Sequence, residues 1–267
     1  MSYCFKESEE ISVLRSSVRS FAQKEIAPLA FELDKGENFS YDLTHKMGEI
    51  GLFGCVVDCK YSGQGMDYFS YIICIEELAR VDSSQAATVA AHNSLGAAPI
   101  YYYGSEKQKE NLLPQLCNGS GLWSFGLTEA NAGSDARASE TIARQTDDGK
   151  GWLLNGSKIW ITNAATEISK GITIQAVSGR DDKEKPELTC FLVPLGSPGL
   201  NVITMKDKMM WRASNTAEVV LEDVFVPNDM VLGKRGDGFS IMMKTLDSGR
   251  LSIAGMGLGL AKGAYSL

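Results

Sequence analysis

Apolar residues in the first third of the chain recur with the period of an α-helix. They fall at about every third or fourth position over 7–31, and further helices are expected over 41–50, 67–81 and 83–103. Pro28 is expected to disturb the end of the first of these helices. Ser105 is expected to cap a further helix that runs to about Cys117. The pattern predicts an all-helical beginning.

After Asn118 the pattern changes to short runs rich in β-branched and aromatic residues. The predicted strands cover 151–161, 171–177, 188–194, 200–204 and 217–225, and turn-forming stretches such as 147–150 and 181–186 separate them. Strands without intervening helices indicate an antiparallel sandwich or barrel. The helical period returns from about Gly236.

This order predicts an α+β multidomain protein with three parts. We expect an all-α N-terminal domain over 1–120, a β-barrel middle domain over 121–233 and the start of a C-terminal helical bundle over 234–267. The last stretch, 251–267, is strongly apolar, and an apolar helix must bury its face against another element. We therefore expect the sequence to stop within a longer C-terminal domain.

Composition narrows the class of protein. The net charge is −7 with no basic run, which argues against a nucleic-acid partner. No stretch approaches the roughly 18 apolar residues of a membrane helix, and residues 1–10 lack a signal-peptide pattern. Six cysteines are too sparse for a disulfide framework, and nothing near Cys55 and Cys59 completes a zinc set. These features predict a reduced, cytoplasmic protein without a metal site or a membrane partner.

The stretch 125–135, between the helices and the strands, combines glycines with hydroxyl groups. Such a loop can present several N–H groups and the Thr128 hydroxyl to an anionic or carbonyl-rich ligand. A plain domain linker with turn residues is an equal alternative.

Trp160, Ile161 and Thr162 form the end of a predicted strand. A tryptophan beside a threonine can stack on a planar ring and hydrogen-bond its polar edge. A buried core tryptophan is the commoner explanation of such a residue.

Asp247, Ser248, Gly249 and Arg250 interrupt a helical run with polar residues. A pair of ligand-facing side chains at a helix junction is one interpretation. The other is a local ion pair, because Asp247 and Arg250 are three positions apart and share a helix face.

Two further features are interpreted as structural. The glycines at 255, 257 and 259 lack the spacing of a dinucleotide-binding loop and follow a helix, so they indicate close helix packing. His45 and His92 belong to no recognisable triad and are expected to be structural.

Several motifs occur in an order that resembles the flavin-dependent acyl-CoA dehydrogenases, most closely their short-chain, butyryl-CoA-like branch. They are Leu-Thr-Glu…Gly-Ser-Asp at 127–135, Asn-Gly-Ser-Lys-Ile-Trp-Ile-Thr-Asn at 155–163, Phe-Leu-Val-Pro at 191–194, Arg-x-Ser-x-Thr at 212–216, Phe-Val-Pro at 225–227 and Leu-Asp-x-x-Arg at 246–250. The resemblance covers nearly the whole chain.

The resemblance implies that FAD and an acyl-CoA thioester lie between a helical, a barrel and a C-terminal helical domain. The implied flavin-binding residues are Phe125, Leu127, Thr128, Gly133, Ser134, Trp160, Ile161 and Thr162, and the implied substrate-binding residues are Ser134, Asp247, Ser248, Gly249 and Arg250. Leu127 and Thr128 would donate near N1/O2 of the flavin, Trp160 would stack on the ring and Thr162 would bond near N5.

The implied reaction is α,β-dehydrogenation of a short- or medium-chain acyl-CoA. A carboxylate removes the α-proton while the β-hydrogen leaves as hydride to flavin N5, and electron-transferring flavoprotein accepts the electrons. A homo-oligomer, a tetramer or a dimer, is also implied. Two open alternatives are an enoyl-CoA reductase on the same fold and, if the chain truly ends at residue 267, a non-catalytic acyl-CoA or flavin-binding module.

Two departures from the family pattern stand out. In some branches a glutamate precedes the helix arginine and serves as the base, but that position here is Gly249. The usual base of the family would lie beyond residue 267, so no catalytic residue is assigned. The family also usually has a glycine shortly before Arg212, where this chain reads Met209-Met210-Trp211.

Overall fold

The computed structural model describes residues 7–180 and 183–266. Residues 1–6, Asp181 and Asp182 of the predicted 181–186 turn, and Leu267 lie outside the described residues.

Helices form the first part of the chain. They are α1 (Glu9–Phe21), α2 (Ala27–Gly36), α3 (Tyr41–Glu49), α4 (Tyr68–Ala79), α5 (Ser83–Ala91), α6 (Ala98–Tyr103) and α7 (Glu106–Cys117). Two π-helical segments, Ala22–Ile26 and His92–Ala97, join α1 to α2 and α5 to α6. Short 3₁₀-helices cover Cys59–Tyr61 and Asn228–Met230.

Polar side chains fix where these helices begin. Ser40 accepts a hydrogen bond from the Leu43 N–H, and Ser105 forms a capping box with Gln108, as expected from the sequence. Pro28 disturbs the first predicted helix, as expected, but does not end the helical path. The π-helical segment Ala22–Ile26 lies directly before α2, which contains Pro28 in its first turn and continues to Gly36.

An eight-stranded sheet follows the helices. Its strands are β1 (Leu122–Gly126), β2 (Ile142–Gln145), β3 (Gly151–Thr162), β4 (Ser169–Arg180), β5 (Pro186–Pro194), β6 (Leu200–Thr204), β7 (Thr216–Pro227) and β8 (Val231–Leu232). The order is β6-β7-β3-β2-β4-β5-β8, and β1 pairs with β4 in parallel. All five predicted strands are present. β1, β2 and β8 were not predicted; β2 and β8 are shorter than any predicted strand, whereas β1 is as long as β6.

The last helix, α8 (Gly238–Tyr265), packs against α4 of the helical part. A Cβ on Gly255 would lie 2.7 Å from the Ile72 side chain, and one on Gly259 would lie 2.2 Å from the carbonyl oxygen of Glu76. These glycines therefore permit close helix packing, as the sequence indicated. Residues 247–250 do not interrupt the helix, because α8 runs through them without a break.

The helical first part, the strand-rich middle and the C-terminal helix of the sequence prediction are thus confirmed. Among the described residues, no helix is both long and apolar enough to cross a membrane.

Candidate functional site

The central cavity lies where the helical part, the sheet and α8 meet, and its volume is about 400 Å³. It is lined by Ala91, Leu95, Ser124, Phe125, Leu127, Thr128, Gly133, Ser134, Ala136, Trp160, Ile161, Thr162, Met243, Leu246 and Arg250. The structure therefore brings together in one cavity all eight residues that the resemblance implied for the flavin. Trp160 and Thr162 lie at the end of β3, while Phe125 lies in β1.

An adjoining cavity of about 320 Å³ opens beside the central cavity. The two cavities share Ala91, Leu95, Thr162, Leu246 and Arg250. The residues that line only the adjoining cavity are Ala87, Ser94, Trp211, Gly249, Ser252 and Ile253. The two cavities are therefore direct neighbours.

A buried ion pair fixes the 127–134 loop against β3. The ammonium of Lys158 lies 2.6 Å from Oε1 of Glu129, and both side chains are almost fully shielded from solvent. The same ammonium donates to the carbonyl oxygen of Leu127 at 3.3 Å, and the Ile159 N–H donates to the carbonyl oxygen of Thr128 at 2.9 Å. The loop wall and the strand wall of the cavity are thereby joined.

The Glu129 carboxylate is held by further donors on its other side. It accepts hydrogen bonds from the Ser139 hydroxyl at 2.5 Å and the Glu140 N–H at 2.7 Å. Burial would raise the pKa of Glu129, but the charge of Lys158 and the hydrogen bonds from Lys158 and Ser139 hold this pKa down to about 2. The carboxylate is therefore ionised at neutral pH, and Lys158 is its counter-charge.

Trp160 has an unusual backbone conformation. Its φ is 60°, which is rare for a bulky residue, and the pairing of β3 with β7 shifts register between Lys158 and Ile161. Its side chain is 61% exposed although it lines the cavity. The bulge turns an indole outward along the cavity wall, so the alternative of a buried core tryptophan is wrong.

Two features show that the central cavity has room and hydrogen-bonding groups for a polar ligand, as a flavin requires. The Ser124 hydroxyl is buried and has no hydrogen-bond partner among the described residues, although it belongs to a residue of the lining. An added Cβ on Gly133 would find no atom within 4 Å, so this part of the loop leaves open space. The hydroxyl groups of Thr128, Ser134 and Thr162 add further hydrogen-bonding capacity.

The predicted substrate residues on α8 divide into two groups. Gly249 and Arg250 line the adjoining cavity, and Arg250 also lines the central one. Asp247 and Ser248 are in neither lining; Asp247 instead forms an ion pair with Arg250, and both side chains are exposed. The local ion pair considered from the sequence is present, and the proposed substrate contact of Asp247 stays a prediction.

His92 has a structural environment, as expected. Its Nε2 lies 2.8 Å from the carbonyl oxygen of Leu116, and its Nδ1 accepts the Trp123 N–H at 3.2 Å. Both bonds are satisfied by one neutral tautomer, and burial lowers the pKa of His92 to about 4. The ring therefore ties the π-helical segment to β1 rather than exchanging protons with a ligand.

Glu129 and Lys158 lie within the motifs at 127–135 and 155–163, but the sequence alone assigned them no role. A lysine at an inward-facing position of an apolar strand is a signal for a buried partner. Leu246 and Met243 were also missed as lining residues, because an apolar helix position does not reveal which cavity it faces.

The comparisons with known proteins agree with this geometry. Residues 8–120 match the family "Acyl-CoA dehydrogenase, N-terminal domain" and residues 124–224 match "Acyl-CoA dehydrogenase, middle domain". The chain is 39% identical over 262 residues to the short-chain specific acyl-CoA dehydrogenase of Clostridium acetobutylicum, covering 98% of this chain and 68% of that relative.

Two solved structures are also similar. The butyryl-CoA dehydrogenase of Megasphaera elsdenii matches with a TM-score of 0.92 and 38% identity, over 98% of this chain and 68% of that one. An acyl-CoA dehydrogenase of Bacillus anthracis in complex with FAD matches with a TM-score of 0.87 and 30% identity, over 95% of this chain and 42% of that one. The fold and the site define a flavoprotein scaffold of the dehydrogenase type. This chain belongs to the acyl-CoA dehydrogenase family.

Proposed function

We propose that this protein carries out the FAD-dependent α,β-dehydrogenation of a short- or medium-chain acyl-CoA thioester. The observation that carries the proposal is the single cavity that collects the 125–134 residues, the end of β3 and the α8 arginine. Relatives and solved structures named for short-chain, butyryl-CoA and FAD-bound dehydrogenases support the substrate class and the cofactor.

FAD, when bound, supplies the hydride acceptor for this chemistry. In the proposal the Leu127–Thr128 backbone and the Thr128 hydroxyl donate to its polar edge, and Thr162 donates to the opposite side. Trp160 offers the flat face against which a ring stacks. Gly133 leaves the space in which a pyrophosphate can approach the loop backbone.

The acyl-CoA is proposed to enter from the side of α8. Ser134 and Arg250 lie at the central cavity, and Gly249 lets the adjoining cavity extend along the helix. The mainly apolar wall of the adjoining cavity suits an alkyl chain and keeps water from the reacting carbons.

No residue that lines either cavity is assigned as the catalytic base. Neither lining includes an aspartate or a glutamate, and Gly249 has no side chain that could accept the α-proton. The residues of the two cavities therefore bind and orient the thioester, and the proton acceptor is proposed to lie outside them.

We further propose electron-transferring flavoprotein as the electron acceptor, a homotetramer as the assembly, the cytoplasm as the location and fatty-acid β-oxidation as the context. Family membership supports the first two. Among the described residues Cys55, Cys59, Cys74, Cys117 and Cys190 are free thiols, which suits a reducing compartment.

The test is an anaerobic titration of the full-length, FAD-loaded protein with a panel of acyl-CoA thioesters. We expect a yellow protein whose flavin absorbance is bleached by butyryl-CoA or hexanoyl-CoA. A protein that never takes up FAD, or a flavin that no thioester bleaches, would refute the proposal.

A further inference from the structure

Trp211 belongs to the stretch 209–211, where this chain departs from the family pattern. Trp211 lines the adjoining cavity but not the central one. It is the largest residue of the six that belong only to the adjoining cavity, and the only aromatic one. The Trp211 indole is therefore the bulkiest part of the wall that belongs to the adjoining cavity alone.

The turn formed by residues 208–214 presents Trp211 to the adjoining cavity. The residue has a φ of 53°, a left-handed conformation that a bulky side chain adopts only at a cost of about 1–2 kcal/mol. Its carbonyl oxygen accepts hydrogen bonds from the Lys208 ammonium at 2.8 Å and from the Ser214 N–H at 3.0 Å. These bonds hold the backbone in place.

The turn is itself anchored on both sides. Lys208 also donates to the hydroxyl of Thr216 at 3.0 Å, and Arg212 donates to the carbonyl oxygen of Lys208 at 2.7 Å. Arg212 in turn pairs with Glu37 of the helical part at 2.7 Å. The position of the indole is therefore fixed by the fold.

The Trp211 side chain lies between the adjoining cavity and the core of the helical part. Its indole Nε1 is buried without a hydrogen-bond partner among the described residues, while the ring packs against the core of the N-terminal helices. The other polar side chains of the far wall are used internally, because Ser94 donates to the Ala90 carbonyl and Ser252 to the Gly249 carbonyl. The bulk of this wall therefore comes from the Trp211 ring.

We propose that Trp211 closes the acyl end of the substrate site and restricts this protein to short-chain acyl-CoA thioesters. The inference rests on the proposed function, since it takes the adjoining cavity as the acyl site. Each methylene that enters an apolar cavity tightens binding by up to about fourfold. A chain that reaches the indole gains nothing from further methylenes.

The experiment measures dissociation constants of butyryl-, hexanoyl-, octanoyl- and decanoyl-CoA by calorimetry with the FAD-loaded protein. In the wild type we expect the affinity to increase with acyl-chain length up to hexanoyl-CoA and no further. In Trp211→Ala it should keep rising, so that octanoyl-CoA binds at least tenfold more tightly relative to butyryl-CoA than in the wild type. Met209→Ala is the matched control, because Met209 lies in the same turn, is 98% exposed and lines neither cavity.

Trp211→Phe provides a second variant if the alanine variant folds poorly, and it should shift the limit by a smaller amount in the same direction. An unchanged chain-length profile in the folded Trp211 variants would overturn the inference and leave the proposed function standing. A wild type that already binds decanoyl-CoA best would also overturn it. Absence of binding by every thioester in a protein that carries FAD would overturn both.

Discussion

The ammonium of Lys158 lies 2.6 Å from the carboxylate of Glu129, and the pair is buried behind the wall of the central cavity. Because Lys158 belongs to β3 and Glu129 to the 127–134 loop, the pair joins the two segments that we expect to hold the flavin. Neither residue lines the cavity itself. Their contribution is to position the residues that do.

Removal of the ammonium should therefore weaken both stability and cofactor binding. Lys158→Met leaves the Glu129 carboxylate buried without its counter-charge, and such a change typically costs about 3–5 kcal/mol. We expect a loss of this size in urea unfolding and at least a tenfold rise in the dissociation constant of FAD.

Lys150→Met is the control for this prediction. Lys150 pairs with Asp148 at 3.4 Å, but both side chains are largely exposed, so the loss should be below about 1 kcal/mol. Equal effects of the two substitutions would contradict the role given to Lys158.

The stability of the protein should fall between pH 6.5 and 4 because of His92. Burial lowers the pKa of His92 from its ordinary 6.5 to about 4. In this window the unfolded chain binds a proton that the folded chain does not, so stability is lost as the pH decreases. One such group contributes a slope of up to about 1.4 kcal/mol per pH unit.

His92→Gln should flatten the pH dependence of the unfolding free energy in this window. His45→Gln serves as the comparison, since His45 is the other histidine of the chain and pairs with Glu49 on the surface at 3.5 Å. If His45→Gln flattens the profile as much as His92→Gln does, the assignment to His92 is wrong. The contribution of Glu129, whose pKa is about 2, is lost at still lower pH, below about 4.5.

Replacement of Trp160 by glycine should raise the stability of the protein and weaken its binding of FAD. Trp160→Gly removes a bulky residue from a φ of 60°, which should raise the unfolding free energy of the FAD-free protein by about 1 kcal/mol. The same variant loses the stacking surface, so FAD should bind about tenfold more weakly.

Trp160→Phe keeps a flat ring and the unfavourable φ, and its FAD affinity should stay within about threefold of the wild type. The two measurements are urea unfolding and a flavin fluorescence titration. A glycine variant that binds FAD as tightly as the wild type would remove Trp160 from the cofactor site.

Local rules were enough to place most elements of the fold. The period of apolar residues and the runs of β-branched and aromatic residues predicted the long helices and five of the eight strands, and Ser105 marked its helix start correctly. The rules failed where tertiary packing decides: α8 continues through the polar residues from Asp247 to Arg250. Short strands such as β2 carry too few residues for a period to appear.

The sequence predicted part of the cavity lining, but neither its full extent nor the contacts that support it. The eight flavin residues follow from ordered motifs, and the structure places them around one cavity. The partner of Lys158 could not be read from the sequence, because 29 positions separate it from Glu129. The same holds for Trp211, whose entry into the adjoining cavity depends on a turn held by contacts from distant segments.

The most direct test of the account introduces a bulky side chain into the lining of the central cavity and measures FAD binding. Gly133→Leu adds a side chain where the folded protein has open space, and Gly257→Leu does the same on α8, outside the linings of both cavities. We predict that the wild type and Gly257→Leu bind one FAD per chain, while Gly133→Leu remains folded by circular dichroism and binds FAD at least a hundredfold more weakly. Equal FAD binding by Gly133→Leu and the wild type would contradict the claim that the flavin occupies this cavity.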